Sequence, residues 1–182
     1  MYAASLEPME YEVHPTKASA WRKGRFVVLP DAEREACTVW VGAEADTSPS
    51  VKWEGLLARR LGADRARICA VPFWVYDLNL GDEVTLMDSA EGAPVVTGVV
   101  LDGGNYTFRV RFEHAADDDV RWRGLMVELE PFDCWFDVRS PGFLAVSAPS
   151  AHAQAVADDL DDRERRGDLL FETGRSAPPT GL

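Results

Sequence analysis

The run Thr107-Phe108-Arg109-Val110-Arg111-Phe112 carries the clearest chemical pattern in the chain. Strand side chains alternate between faces, so Phe108, Val110 and Phe112 share one face and Thr107, Arg109 and Arg111 the other. A guanidinium row suits a carboxylate, a phosphate or an acidic partner, because arginine offers such groups a planar fork of donors. The plainer alternative is a solvated face on which these arginines pair with the protein's own acids. Arg121 and Arg123 continue the row if residues 120–124 are extended. A second cluster, Trp74, Tyr76 and Asp77, precedes the Leu80-Gly81-Asp82 turn. Aromatic rings beside a turn line a pocket or fill a core. The candidate binding residues are therefore Thr107, Arg109, Arg111, Trp74, Tyr76 and Asp82.

Other chemistries find less support. Cys37, Cys69, Cys134, His114 and His152 include no pair with the close spacing of a zinc site, so no metal is expected. Asp117-Asp118-Asp119 lacks the alternating ligands and glycine of a calcium loop and reads as a solvated turn. There is no Gly-x-Ser-x-Gly, no Gly-x-Gly-x-x-Gly and no Gly-Lys-Ser/Thr, so no nucleophile elbow, phosphate cradle or cofactor is expected. His14 falls in a presumed arm, outside most catalytic schemes. Acid–base catalysis, if present, falls to Asp82, Glu54 or Asp77, and no catalytic residue is assigned.

Composition narrows the setting. The chain has 182 residues, 46% of them apolar, enough for a core. Its formal net charge is −12, from 31 acidic and 19 basic residues. Such a surface repels nucleic acid and anionic lipid and favours a basic protein partner. Of the basic residues 16 are Arg and 3 Lys, the habit of a GC-rich bacterial genome. No apolar run approaches the roughly 20 residues of a membrane span, and no secretion signal is visible. Three scattered cysteines fit a reducing cytoplasm rather than a disulfide framework.

The elements that must position these residues are short. Residues 1–24 show no sustained period and read as a mobile arm, 25–174 as one domain, and 175–182 as a frayed tail. Strands are expected over 26–29, 37–41, 83–86, 95–101, 106–112, 134–138, 143–146 and 169–172. Asp46 to Ser50 reads as a loop. Val71 to Tyr76 is apolar on both faces and therefore buried. Gly103-Gly104 between two strands predicts a hairpin. Residues 53–69 suit either a helix or two strands turning at Gly62-Ala63-Asp64, and residues 120–130 suit helix or strand. Ser150 to Arg166 is the clearest helix. Ser150 stands at its cap, Ala153, Val156 and Leu160 lie on one face, and Asp159/Arg163, Asp161/Arg165 and Asp162/Arg166 are spaced four apart.

The order of these segments resembles an uncharacterised bacterial family, actinobacterial in type, known as a domain of unknown function. The resemblance rests on Trp40-Val41, Glu54 to Leu61, Val71-Pro72-Phe73 through Leu80-Gly81-Asp82-Glu83-Val84, Thr107-Phe108-Arg109-Val110 and Ala145-Val146-Ser147-Ala148-Pro149. It covers about residues 37–174. Ala70, and Asn105-Tyr106 before Thr107, depart from the family's habit. The resemblance implies strands over 53–69 and supplies no activity.

The expected fold is α+β: a mainly antiparallel, curved and partly barrel-like sheet, a C-terminal β-β-α-β segment, and one main helix at about 150–166. The expected function is a non-catalytic protein-binding module, of the kind that neutralises a basic partner as immunity proteins do. The alternative is a sensor of small anions using the arginine face, and the third reading is a carboxylate enzyme. A monomer or weak homodimer is expected.

Overall fold

The computed structural model describes residues 10–33, 36–43 and 52–175. Residues 1–9 of the expected arm, the expected loop 46–50 and residues 176–182 of the expected tail lie outside the described residues. The chain forms two six-stranded sheets and two α-helices. Its first half supplies strands β1 (Glu10–Val13), β2 (Ser19–Arg22), β3 (Arg25–Val28), β4 (Ala36–Ala43), β5 (Lys52–Arg60) and β6 (Arg65–Ile68). Then follow β7 (Glu83–Asp88), β8 (Pro94–Leu101), β9 (Asn105–Arg111) and helix α1 (Arg121–Glu128). The chain continues through β10 (Trp135–Ser140), β11 (Phe143–Pro149), helix α2 (Ala153–Arg166) and β12 (Leu170–Thr173). The fold is thus α+β with a curved, barrel-like sheet. Among the described residues no helix is long and apolar enough to cross a membrane.

The first sheet runs β1-β5-β4-β8-β7-β6, and β6 returns to β5, so five strands close a ring. Residues 53–69 are therefore two strands. Closure is narrow: β4 meets β8 only through Trp40 opposite Val95. Register shifts along β7 and β8 add the local bends a small ring needs. Val39, Leu56, Ala58, Ala66, Ile68, Val84 and Leu86 fill the inside. Several are alanine or valine, as a tight interior requires.

The second sheet runs β12-β9-β11-β10-β2-β3 and is antiparallel throughout. The β9 alternation decides its two faces. Phe108, Val110 and Phe112 join Phe136, Leu144 and Val146 under α1 and α2, which contribute Leu125, Met126, Val156 and Leu160. Residues 120–130 are thus helical at their centre, and Arg121 and Arg123 leave the arginine row. The opposite face of this sheet meets residues 71–82, which lie between the two sheets.

Further expectations are corrected. Residues 10–22 are not a mobile arm: β1 pairs in parallel with β5, and β2 pairs with β3 and β10. The Gly103-Gly104 turn makes no hairpin, because β8 pairs with β7 while β9 pairs with β11 and β12. It carries the chain from one sheet to the other. α2 begins at Ala153, and the Ser150 N–H donates to Gly104 O (2.8 Å) instead of Ser150 capping the helix. Asp159 and Asp161 meet Arg163 and Arg165 as spaced, but Asp162 meets Arg165, and Arg166 turns to Asp168. Gly167 ends the helix with φ of 78°.

Gly103 is required by packing. A Cβ there would lie 2.3 Å from the Gly81 carbonyl carbon and 2.6 Å from Asp82 N. Gly104 has φ of +75° and open space around it. Gly103→Ala should therefore lower stability by about 3 kcal/mol or more, and Gly104→Ala by roughly 1–2 kcal/mol. Urea unfolding of both variants checks the order, and equal losses would contradict it.

Candidate ligand-binding cleft

Residues 71–82 form no helix or strand, and most of them are buried, Tyr76 and Asp77 excepted, so their backbone groups need partners from elsewhere. Side chains from both sheets supply them. Glu54, 1% exposed, occupies an inward position on β5 beside Leu56 and Ala58. Its carboxylate accepts the N–H groups of Phe73 (2.8 Å), Trp74 (3.0 Å) and Val75 (3.1 Å). From β10, Asp137 accepts the Val71 N–H (2.8 Å) and the Thr16 hydroxyl (2.8 Å). From β9, Arg109 donates through Nη2 to Val75 O, and Thr107 donates its N–H (3.1 Å) and hydroxyl (3.0 Å) to Asn79 Oδ1. Asp82 accepts the N–H groups of Asn79 (2.8 Å) and Gly103 (2.7 Å). Burial raises the Asp82 pKa, and these two donors pull it back.

His14 lies in the same layer. Its ring stacks on Phe73, centroids 4.5 Å apart. Nε2 is 3.1 Å from Val71 O and Nδ1 3.2 Å from Thr16 O. Carbonyls only accept, so a ring nitrogen bonds its carbonyl only while it carries a proton. Glu54 and Asp137 flank the ring at 3.9 and 3.7 Å. Burial pushes the Asp137 carboxyl up to about 6, and the His14 charge works against that rise.

Outside this layer a cleft of about 450 Å³ opens between the sheets. Trp74, Tyr76, Phe143 and Phe171 supply aromatic surface, and Lys52, Arg109 and Arg111 supply positive charge. Arg109 stands opposite Glu172 of β12 in register, and its Nη1 donates to Glu172 Oε1 (2.8 Å). The guanidinium lies 4.3 Å from the Tyr76 ring centroid, and the Tyr76 hydroxyl donates to the same Glu172 oxygen (3.2 Å). Burial, then the Glu172 charge, raises the Tyr76 pKa. Lys52 Nζ sits 3.9 Å over Trp74, with the Arg139 guanidinium 5.4 Å from the same ring. Glu12 of β1 pairs with both cations. Two buried donors, Arg109 Nε and Trp74 Nε1, have no acceptor among the described residues.

Trp74, Tyr76, Arg109 and Arg111 thus meet in one cleft. Thr107 and Asp82 do not: Thr107 is spent on Asn79 and Asp82 on backbone N–H groups. Arg109 is 3% exposed, so the arginine face is not solvated at this position. Arg111 remains exposed at the end of β9. Arg121 pairs with Asp119 (2.6 Å) away from the row. Glu54 is buried under three donors and Asp77 lies outside the cleft lining, so the acid–base candidates do not gather there. Sequence reasoning missed Lys52, Glu172, Asp137 and His14. Glu172 alone left a local signal, since it sits in an edge strand whose pairing with β9 sets an acid against Arg109. The cysteines are free, and burial pushes Cys69 to about 11 and Cys134 to about 12.

Residues 54–171 match the family described as Domain of unknown function (DUF4265). The chain belongs to this family. The match begins at Glu54, the carboxylate that holds residues 73–75, and takes in residues 71–82, Arg109 and Arg111. Lys52 and the β1 residues lie before it, and Glu172 just after it. The fold is also similar to the crystal structure of a hypothetical protein from Neisseria gonorrhoeae, with a TM-score of 0.64 at 16% identity. That likeness covers 77% of this chain and 94% of the other, and it shows the fold alone. No curated protein matches the chain.

The raised Asp137 carboxyl has a pH signature. An unfolded Asp titrates near about 3.9. The folded state therefore holds this proton more tightly, so its stabilising contribution is complete below about pH 4 and is lost as pH rises through about 6. Asp137→Asn cannot ionise. The stability of wild type relative to Asp137→Asn should fall between about pH 4 and 7, by something on the order of 3 kcal/mol. Urea unfolding across that range checks it, and a difference that grows with pH would contradict it.

Proposed function

We propose that this domain is a non-catalytic binding module whose inter-sheet cleft takes a small anion, a carboxylate or phosphate carried on an apolar or aromatic body. The observation that carries this reading is the pair of buried donors, Arg109 Nε and Trp74 Nε1, that lack acceptors in residues lining one cleft. Buried donors without partners are costly, and an incoming anion would satisfy them. Arg111 adds an exposed cation with no ion-pair partner among the described residues, and the aromatic walls suit an apolar body. Glu172, 54% exposed at its side chain, is the one carboxylate on Arg109 and can yield to a ligand. Two of the carboxylates that would serve acid–base chemistry, Glu54 and Asp82, are occupied by backbone donors, which favours binding over catalysis. Free cysteines suit a cytoplasmic setting.

A thermal-shift screen of phosphates, aliphatic carboxylates and aryl carboxylates tests this. A ligand at 100 times its Kd should raise wild-type Tm by about 5–10 °C. Arg111→Ala, at an exposed position, should fold normally and weaken the shift. Unchanged melting of wild type across the panel would remove the proposal.

A second reading, a protein-binding module of immunity type for a basic partner, draws on exposed Met87, Val99, Val100 and Leu101 on adjacent strands β7 and β8, within a chain of net charge −12. It expects a stoichiometric basic partner in a pull-down from native lysate, captured more strongly at low salt. Recovery of none at low and moderate salt counts against it.

A further inference from the structure

A separate aromatic site lies on the outer face of the barrel. Trp40 on β4 stands opposite Gly55 on β5, and Trp53 stands opposite Gly42. Each indole lies across the facing glycine: a Cβ at Gly55 would come within 2.9 Å of the Trp40 ring, and one at Gly42 within 3.9 Å of Trp53. Tyr11 of β1 is beside Trp53 in register, with centroids 6.4 Å apart and planes 15° from parallel. Tyr11 meets Trp40 edge-on, at 5.5 Å and 88°. The rings therefore form a right-angled corner. It bounds a hollow of about 300 Å³ whose other wall, Ser89, Glu91 and Ala93, comes from the β7–β8 connection.

Two observations indicate what this corner lacks. Three of the other four indoles carry the protein's own cations, Lys52 and Arg139 on Trp74, Arg123 on Trp122 and Arg22 on Trp135, while Trp21 meets the Phe26 ring. Trp40 and Trp53 have no such cation among the described residues. Among the described residues Glu91, which is exposed, has no ion-pair partner, and the buried Trp53 Nε1 has no acceptor.

We propose that this corner binds a methylated ammonium group carried by a small soluble molecule. Aromatic faces attract a cation, and Glu91 supplies the countercharge. Methyl groups match the rings better than N–H groups do, because the hollow offers an unmethylated ammonium only one carboxylate and the Ser89 hydroxyl. The Trp53 N–H then takes an acceptor close to the cation, such as a hydroxyl. The hollow holds a head group rather than an extended chain, which favours a free small molecule.

Saturation-transfer NMR on the methyl signal of choline, with calorimetric titration of the full chain at constant ionic strength, tests this. Choline and tetramethylammonium should bind saturably, and the neutral isostere 3,3-dimethylbutan-1-ol about fivefold or more weaker. Glu91→Gln and Tyr11→Leu should each weaken choline by about three- to fivefold, while Tyr11→Phe and Arg111→Ala leave it unchanged. Absence of saturable binding, equal affinity for the neutral isostere, wild-type affinity in both Glu91→Gln and Tyr11→Leu, or binding only to phosphatidylcholine vesicles would each overturn it.

Discussion

The Glu54 carboxylate, accepting three consecutive N–H groups from Phe73, Trp74 and Val75, is the contact on which the rest depends. A stretch of irregular backbone can be buried only if its donors and acceptors are met. Here residues 71–82 lie between a closed barrel and a second sheet, and all but Tyr76 and Asp77 are buried or half-buried. Val71, Phe73 and Leu80 pack toward Ala145 of the second sheet, while Val75 and Leu78 join the barrel core. A charged acceptor forms stronger bonds than a neutral one, about 1.5–3 kcal/mol each against roughly 1 kcal/mol. His14 lies beside this carboxylate, and Asp137 flanks its ring from the other side. One polar layer thus joins both sheets and β1.

The cleft is a consequence of that layer. Trp74 takes its backbone position from Glu54, and Arg109 is fixed by Val75 O on one side and Glu172 on the other. Tyr76 follows two residues on and stacks beneath the same guanidinium. Arg109 therefore has a structural duty to the buried backbone, and the contacts that hold its guanidinium fix it before any ligand arrives.

Local pattern made some of this legible. Period-two alternation separated Phe108, Val110 and Phe112 from Thr107, Arg109 and Arg111, and the two sets do face opposite ways. Alternation does not say what covers a face, so the buried state of Arg109 was invisible. Helix α2 was legible because its apolar stripe and acid–base spacing are local, but its start was not: the helix begins at Ala153, and Ser150 instead bonds through its N–H to Gly104 O from another part of the chain. A Gly-Gly turn looks the same whether the next strand folds back or crosses to another sheet. The crossing is decided by Gly103 packing on Gly81, about twenty residues away in sequence. His14 sits in a polar stretch with no period, and its role emerges only when β1 docks on β5 and sets it between two distant carboxylates.

Amide hydrogen exchange in wild type and Glu54→Gln measures the central contact most directly. The amide side chain keeps the size of Glu54 but replaces one acceptor with a donor. The expected result is a selective loss of protection at Phe73, Trp74 and Val75, with β7, β9 and β11 still protected. Unchanged protection at those three amides in a folded Glu54→Gln protein would contradict the account.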